Sequence, residues 1–246
     1  MMQRDVHLKP KDLLEHLQFK EGDFGKIALV SGQPQRAKLC LDMLERPTKN
    51  FTFLGYTFWT GFYKGRKITV GNGGFYSPDS AFVTELLCNA GIDILVRLGS
   101  CGALRGDIGI GDFIIADKIL RGDGATRYYV KDDFSPAVDK DLSDKLCKVM
   151  EKKGKVHKGD IWTTDALFRE TKEIVNSYIA KGAIAVDMVT SPFVTLANLY
   201  GKKSCAVLLV SDNLITGELG FSDFKLFEAQ KKMIKGVFEF VLDLDV

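Results

Sequence analysis

A strong charge of either sign is missing from this chain. Its 246 residues carry 34 Lys and Arg against 32 Asp and Glu, a formal net charge of +2. That balance gives no electrostatic drive toward nucleic acid or an anionic membrane surface. Long apolar runs are missing too: no stretch reaches the ~18 residues that a membrane-spanning helix needs. The opening segment, residues 1–12, lacks the apolar core of a secretory signal. Cysteine is scarce, and Cys40, Cys88, Cys101, Cys147 and Cys205 are an odd number with no close pair at metal-ligand spacing. They read as small apolar residues in a reducing compartment rather than as disulfides or zinc ligands. Repeats, low-complexity tracts and linkers are absent as well. These absences predict a cytoplasmic protein with no metal and with neither nucleic acid nor membrane as partner.

What is present is enough apolar residue to build a core, 46% of the chain, with 27% charged. Short Val/Ile/Leu runs bounded by glycine alternate with amphipathic stretches. Strands are predicted over 26–31, 51–64, 66–72, 111–120, 155–164, 183–188 and 204–211, with another entering the segment 96–104. Helices are predicted over 11–19, after residue 36 (with Leu39, Leu41 and Leu44 inward), and over 80–90, 142–150, 170–180, 191–200 and 224–242. The Lys64-Gly65 turn joins two of the strands as a hairpin. The polar stretch 121–137 is a long loop, which in a compact domain is functional or mobile. The fold class this predicts is α/β, a single domain over residues 1–246 with a central, mostly parallel mixed sheet flanked by helices.

Ligands of such sheets bind beyond the carboxyl ends of the strands, and four strand ends here carry polar groups: Gly32/Arg36, Arg97/Ser100, Asp187 and Asp212. The densest is Arg97-Leu98-Gly99-Ser100-Cys101-Gly102. An arginine at the end of a buried strand needs an anionic partner, and the glycines let the backbone turn so that N–H groups can face an anion. A structural salt bridge for Arg97 explains the same pattern, and the spacing leaves both open. Gly32-Gln33-Pro34-Gln35-Arg36 is a strand–turn–helix junction of the kind that presents an anion site, though Arg36 also suits an exposed first turn.

Taken together, these residues resemble the nucleoside phosphorylase family, which includes hexameric purine nucleoside phosphorylases, methylthioadenosine phosphorylases and uridine phosphorylases. The resemblance covers nearly the whole chain and rests on the Gly32–Arg36 turn, the Arg97–Gly102 element and Val210-Ser211-Asp212-Asn213. It implies that Gly32, Arg36, Arg97 and Ser100 bind inorganic phosphate as co-substrate, with no other cofactor. It implies that Asp212 protonates the leaving purine; a helix cap or ion pair is the structural alternative for that residue. Uridine-type members lack the aspartate, which favours purines. His16 matches a histidine lent across a subunit interface, within a hexamer built as a trimer of dimers; an exposed helix histidine is the alternative. Phe168 lies where the family stacks an aromatic on the base, although a core phenylalanine is as natural a reading. Asp187 and Met188 fall in the nucleoside-binding strand.

Two departures alter the sugar side. The family's Val-Glu-Met-Glu strand is Val186-Asp187-Met188-Val189, so the carboxylate that grips the ribose hydroxyls is replaced by Val189. Its His-Gly-Met-Gly segment is Gly73-Gly74-Phe75-Tyr76, which adds bulk, with Tyr76 expected near the sugar. The activity implied is phosphate-dependent cleavage of a nucleoside, purine type favoured, to free base and pentose 1-phosphate. Rival readings are a uridine phosphorylase, a hydrolase of the same fold, and a non-catalytic nucleoside- or phosphate-binding protein.

Overall fold

Runs of Val, Ile and Leu that end on glycine or a small polar residue form the centre of the molecule. The computed structural model describes residues 6–20 and 22–245, so the first five residues of the opening segment lie outside it. Strand β1 (Ile27–Ser31) is buried throughout and runs parallel to both its neighbours, β4 (Arg66–Asn72) and β5 (Ile94–Ala103). β5 in turn runs parallel to β9 (Lys203–Asn213) along its whole length. Beyond β9 lies β6 (Phe113–Gly122), antiparallel to it; β7 (Val156–Thr164) and β8 (Ala183–Asp187) follow in parallel. β8 then returns to the end of β5, with Gly102 opposite Val186 and Ala103 opposite Ala185. Strands β5, β9, β6, β7 and β8 therefore close into a ring. β1, β4, β3 (Tyr56–Tyr63) and β2 (Glu45–Phe53) extend from it in that order.

The period of two along the strands sorts side chains onto two faces. On β1, Ala28 and Val30 face one core layer while Ile27 and Leu29 face the other. The first layer is covered by α1 (Pro10–His16), α3 (Ser77–Asn89) and α6 (Thr190–Leu199). The second is covered by α2 (Pro34–Leu41), α4 (Lys140–Glu151) and α7 (Phe224–Leu242). Helix α5 (Lys172–Ile179) packs through Val175 on a small cluster with Trp162 and Val186. This is a single α/β domain with a mixed sheet in which parallel pairings outnumber antiparallel ones. Among the described residues no helix is long and apolar enough to cross a membrane.

Several elements depart from the sequence reading. The strand expected over 51–64 is two strands broken at Leu54-Gly55, where both residues adopt positive φ (49° and 85°). Lys64-Gly65 repeats that geometry (48° and 81°), as a two-residue hairpin turn requires. The inward face of α2 is Arg36, Ala37 and Cys40, with Leu39 and Leu41 only half-buried. The helix expected over 170–180 starts at Lys172, because the Thr171 hydroxyl caps it by accepting from Ile174 N. The loop over 121–137 is tied down from its base: the Arg121 guanidinium donates to Thr126 Oγ1 (3.0 Å), Lys131 O (2.7 Å) and Phe134 O (3.2 Å).

Candidate active site

The carboxyl ends of β1, β5, β8 and β9 meet at a cavity of about 190 Å³. Its lining includes Gly32, Arg36, Arg97, Ser100, Asp187, Met188 and Asp212. The four polar strand ends picked out in the sequence thus converge.

Arg36 and Arg97 reach this cavity from opposite faces of β5. Arg36 enters from the first turn of α2, which Pro34 opens at a position where a missing N–H costs nothing. Its side chain is 2% exposed. Nε donates to Gln230 Oε1 (3.0 Å) on α7, Nη1 to Leu98 O (3.0 Å) and Nη2 to Ser100 Oγ (2.7 Å). Every acceptor is neutral, and among the described residues no carboxylate lies within ion-pair distance of this guanidinium. Burial, and then the charge of Arg97, lower its pKa to about 10, so it remains a cation at neutral pH. A buried cation held only by dipoles is a ready site for an anion.

Arg97 is paired differently. Its Nη2 donates to Asp187 Oδ2 (2.8 Å) and its Nε to Thr190 Oγ1 (3.0 Å), with both side chains of the ion pair buried. Asp187 is saturated: Oδ1 accepts from Thr163 Oγ1 (2.8 Å), and Oδ2 accepts from Thr190 N (3.0 Å) and Thr190 Oγ1 (2.6 Å) as well as from Arg97. These contacts place Asp187 at the start of α6 as an anchor for Arg97. Asp187 lines the cavity as expected of a nucleoside-binding residue, but in this chain its oxygens are already engaged by Arg97, Thr163 and Thr190. The salt bridge that the sequence left open for Arg97 is therefore present, on a wall of the cavity.

The opposite end is acidic. Between β5 and β9, Cys101 faces Val210 and Gly102 faces Asp212, so Ser211 is an extra residue and the strand bulges there. The bulge aims both Ser211 and Asp212 at the cavity. Ser211 Oγ lies 2.8 Å from Asp212 Oδ1 and 3.2 Å from Cys101 O. A Cβ at position 102 would come within 2.9 Å of Asp212 Oδ2 and 2.4 Å of Leu214, so glycine is what lets this carboxyl sit against β5. Burial raises the Asp212 pKa, opposed by the Ser211 hydrogen bond. The next residue fixes the bulge: Asn213 Nδ2 donates to Arg105 O (2.9 Å) and Ile108 O (2.8 Å), and its Oδ1 accepts from Ile215 N and Thr216 N.

Of the remaining expected site residues, Met188 and Val189 line the cavity beside Val186. Their carbonyls accept from Ser77 Oγ (3.1 Å) and Ser80 Oγ (3.3 Å) of α3. Phe168 does not line it and is 96% exposed; Leu167 and Glu170 of the same segment do. The stacking place expected for Phe168 is thus outside the cavity of this chain, because the 3₁₀ turn Leu167–Arg169 points its ring to solvent. His16, at the end of α1, is exposed and is not part of the lining. The bulk expected from Tyr76 comes instead from Phe75, since Tyr76 precedes α3 and is 55% exposed. Gly74 makes that turn possible at φ +81°, packed so tightly that a Cβ would lie 2.2 Å from Asp79.

Sequence reasoning misses Glu170, Gln230 and Thr190. It places Glu170 inside a helix; recognising Thr171 as a cap releases it. The Glu170 carboxyl has no hydrogen-bond or ion-pair partner among the described residues, and burial, followed by the charge of Asp212, raises its pKa to about 7. Gln230 lies in an amphipathic helix far along the chain, where nothing local marks it.

Comparison with known proteins agrees with this geometry. The family model described as the phosphorylase superfamily matches residues 26–235. A DeoD-type purine nucleoside phosphorylase from Bacillus cereus is 35% identical over 207 residues, covering 82% of this chain and 88% of its own. Among solved structures, a uridine phosphorylase from Vibrio fischeri ES114 superposes with a TM-score of 0.85 at 20% identity, covering 93% of this chain and 96% of its own. A purine nucleoside phosphorylase from Toxoplasma gondii, in complex with immucillin-H, gives 0.83 at 19% identity, covering 98% and 96%. The chain belongs to the nucleoside phosphorylase family within the phosphorylase superfamily.

Proposed function

We propose that this protein cleaves purine nucleosides with inorganic phosphate, releasing the free base and a pentose 1-phosphate. The observation that carries the reading is Arg36, a buried cation with only neutral acceptors, set in one cavity with an acid of raised pKa, Asp212. Phosphate held by Arg36, Ser100 and Arg97 Nη1, the fork nitrogen that no protein hydrogen bond uses among the described residues, is both charge-neutralised and aimed. A phosphate oxygen forms the new bond to the anomeric carbon as the C–N bond to the base breaks. The developing sugar cation is stabilised by the anion beside it. The bonding pair leaves with the base, whose N7 takes the proton of Asp212; the raised pKa suits a carboxyl that must carry that proton.

The sugar side is apolar. Val186, Met188, Val189 and Phe75 line it, and the Asp187 carboxylate is spent on Arg97 and Thr190. With valine at 189 and the Asp187 carboxylate already engaged, these strand residues offer no carboxylate to the 2′- and 3′-hydroxyls, and the reading includes weak activity on ribonucleosides and little preference for ribose over 2′-deoxyribose. The same feature supports a second reading, in which nucleoside and phosphate bind without turnover. Calorimetry beside a turnover assay separates the two.

The test is a panel of purine and pyrimidine nucleosides and their 2′-deoxy counterparts, followed by base release and sugar 1-phosphate formation. Asp212→Asn keeps the shape and removes the proton. It should slow purine release by ~10²–10⁴-fold and spare substrates whose base leaves unaided. A variant that cleaves purine nucleosides at the native rate contradicts the role of Asp212 and the purine assignment with it.

A further inference from the structure

We propose that Glu170 is a base-reading residue which, beside Asp212, matches the N7 and 6-amino edge of a 6-aminopurine. The inference rests on the purine phosphorolysis reading and names the class of base. Glu170 follows the 3₁₀ turn Leu167–Arg169 and precedes the cap of α5, so it belongs to no regular element. Its carboxyl lines the same cavity as Asp212 and makes no hydrogen bond or ion pair among the described residues. A half-buried carboxyl left unpaired in a ligand cavity is costly unless a ligand satisfies it.

The other charged and titratable groups that line this cavity are already accounted for. Arg97 and Asp187 neutralise each other. Arg36 is held by Gln230, Leu98 O and Ser100. The Cys101 thiol is held neutral, its pKa raised well above the ordinary value by burial and then by the charge of Asp187. Asp212 alone acts on Glu170 by charge, adding to the effect of burial. The cavity therefore offers a base two carboxyls, a donor when protonated and an acceptor when ionised.

An adenine edge presents an acceptor at N7 and a donor at the 6-amino group; a 6-oxopurine presents two acceptors, N7 and O6. With Asp212 giving its proton to N7, an ionised Glu170 accepts from a 6-amino group and repels O6. A protonated Glu170 donates to O6 and offers less to the amino group. Since burial and Asp212 place its titration at about 7, the preference should change across neutral pH.

The experiment measures kcat/KM for adenosine and inosine at saturating phosphate from pH 6 to 8, in the native protein and in Glu170→Gln. Taking the ratio of the two substrates cancels the titration of phosphate and of Asp212. The adenosine-to-inosine ratio should rise roughly tenfold or more with pH in the native protein, and the Gln variant, whose amide both donates and accepts, should show a flat ratio. A merely structural Glu170 would alter both substrates together. A native ratio independent of pH overturns the proposal without needing the variant, and so does a variant that keeps the native pH dependence. Cleavage of pyrimidine nucleosides alone overturns it while phosphorolysis stands. Absence of phosphate-dependent cleavage of any nucleoside removes the underlying reading and this one together.

Discussion

Arg36 and Arg97 sit in one cavity yet differ in what their removal should cost. Arg97 neutralises a buried aspartate, so Arg97→Ala leaves Asp187 charged and unpaired in the core. Breaking a buried pair from one side typically costs ~3–5 kcal/mol, and the variant should lose stability as well as activity. Arg36 has only neutral partners, and its burial already lowers its pKa to about 10. Arg36→Ala should therefore keep most of the fold while raising the phosphate requirement steeply, by ~3 kcal/mol or more in kcat/KM. Denaturant unfolding of both variants, alongside phosphate titrations, checks the contrast. Equal destabilisation by the two changes would show that Arg36 is held by more than the dipoles described here.

The elements legible in the sequence are those with strong local patterning. β1 and α7 emerge almost as their apolar periods predict, because one is a short buried run and the other a long amphipathic helix. Of the three site motifs, Gly32–Arg36 and Arg97–Gly102 are legible because each pairs glycine with a charged residue near a strand end, and Val210–Asn213 because an apolar strand ends there in polar residues. The rest is not, for identifiable reasons. Ring closure through β8 depends on two residue pairs between distant strands, and no local period encodes that. Whether Arg97 binds an anion or a carboxylate depends on Asp187, ninety residues away. Glu170 is hidden by a helix boundary set by a single capping hydroxyl. The bulge at Ser211 is likewise a tertiary feature, and Asn213 is the residue that fixes it. Asn213→Ala would remove the partner of the buried Ile108 carbonyl and loosen the turn by freeing the amides of Ile215 and Thr216, at a cost of ~1–3 kcal/mol for the buried carbonyl left unpaired. We expect lower thermal stability together with reduced turnover, since Asp212 loses its aim. A variant with native turnover would show that the bulge holds without its side chain.

At the scale of the whole molecule, large apolar side chains stand exposed near the cavity: Phe75 (49%), Leu167 (50%), Phe168 (96%) and Phe221 (67%). Exposed apolar side chains suit a subunit contact, and closed homo-oligomers are the general expectation. The resemblance implies a hexamer built as a trimer of dimers, in which His16, exposed and outside the lining of its own chain's cavity, would be lent to a neighbour. Light scattering at assay concentration should report that mass, and a fully active monomer would contradict it. The proposed chemistry turns on the cation at Arg36, whose role would be to hold the attacking phosphate. The most direct measurement is the rate of base release from a purine nucleoside as phosphate is raised from zero. The rate should start at the uncatalysed background and saturate with phosphate, with one pentose 1-phosphate formed for each base released. Release at the saturated rate in the absence of phosphate, with free sugar as product, would contradict it.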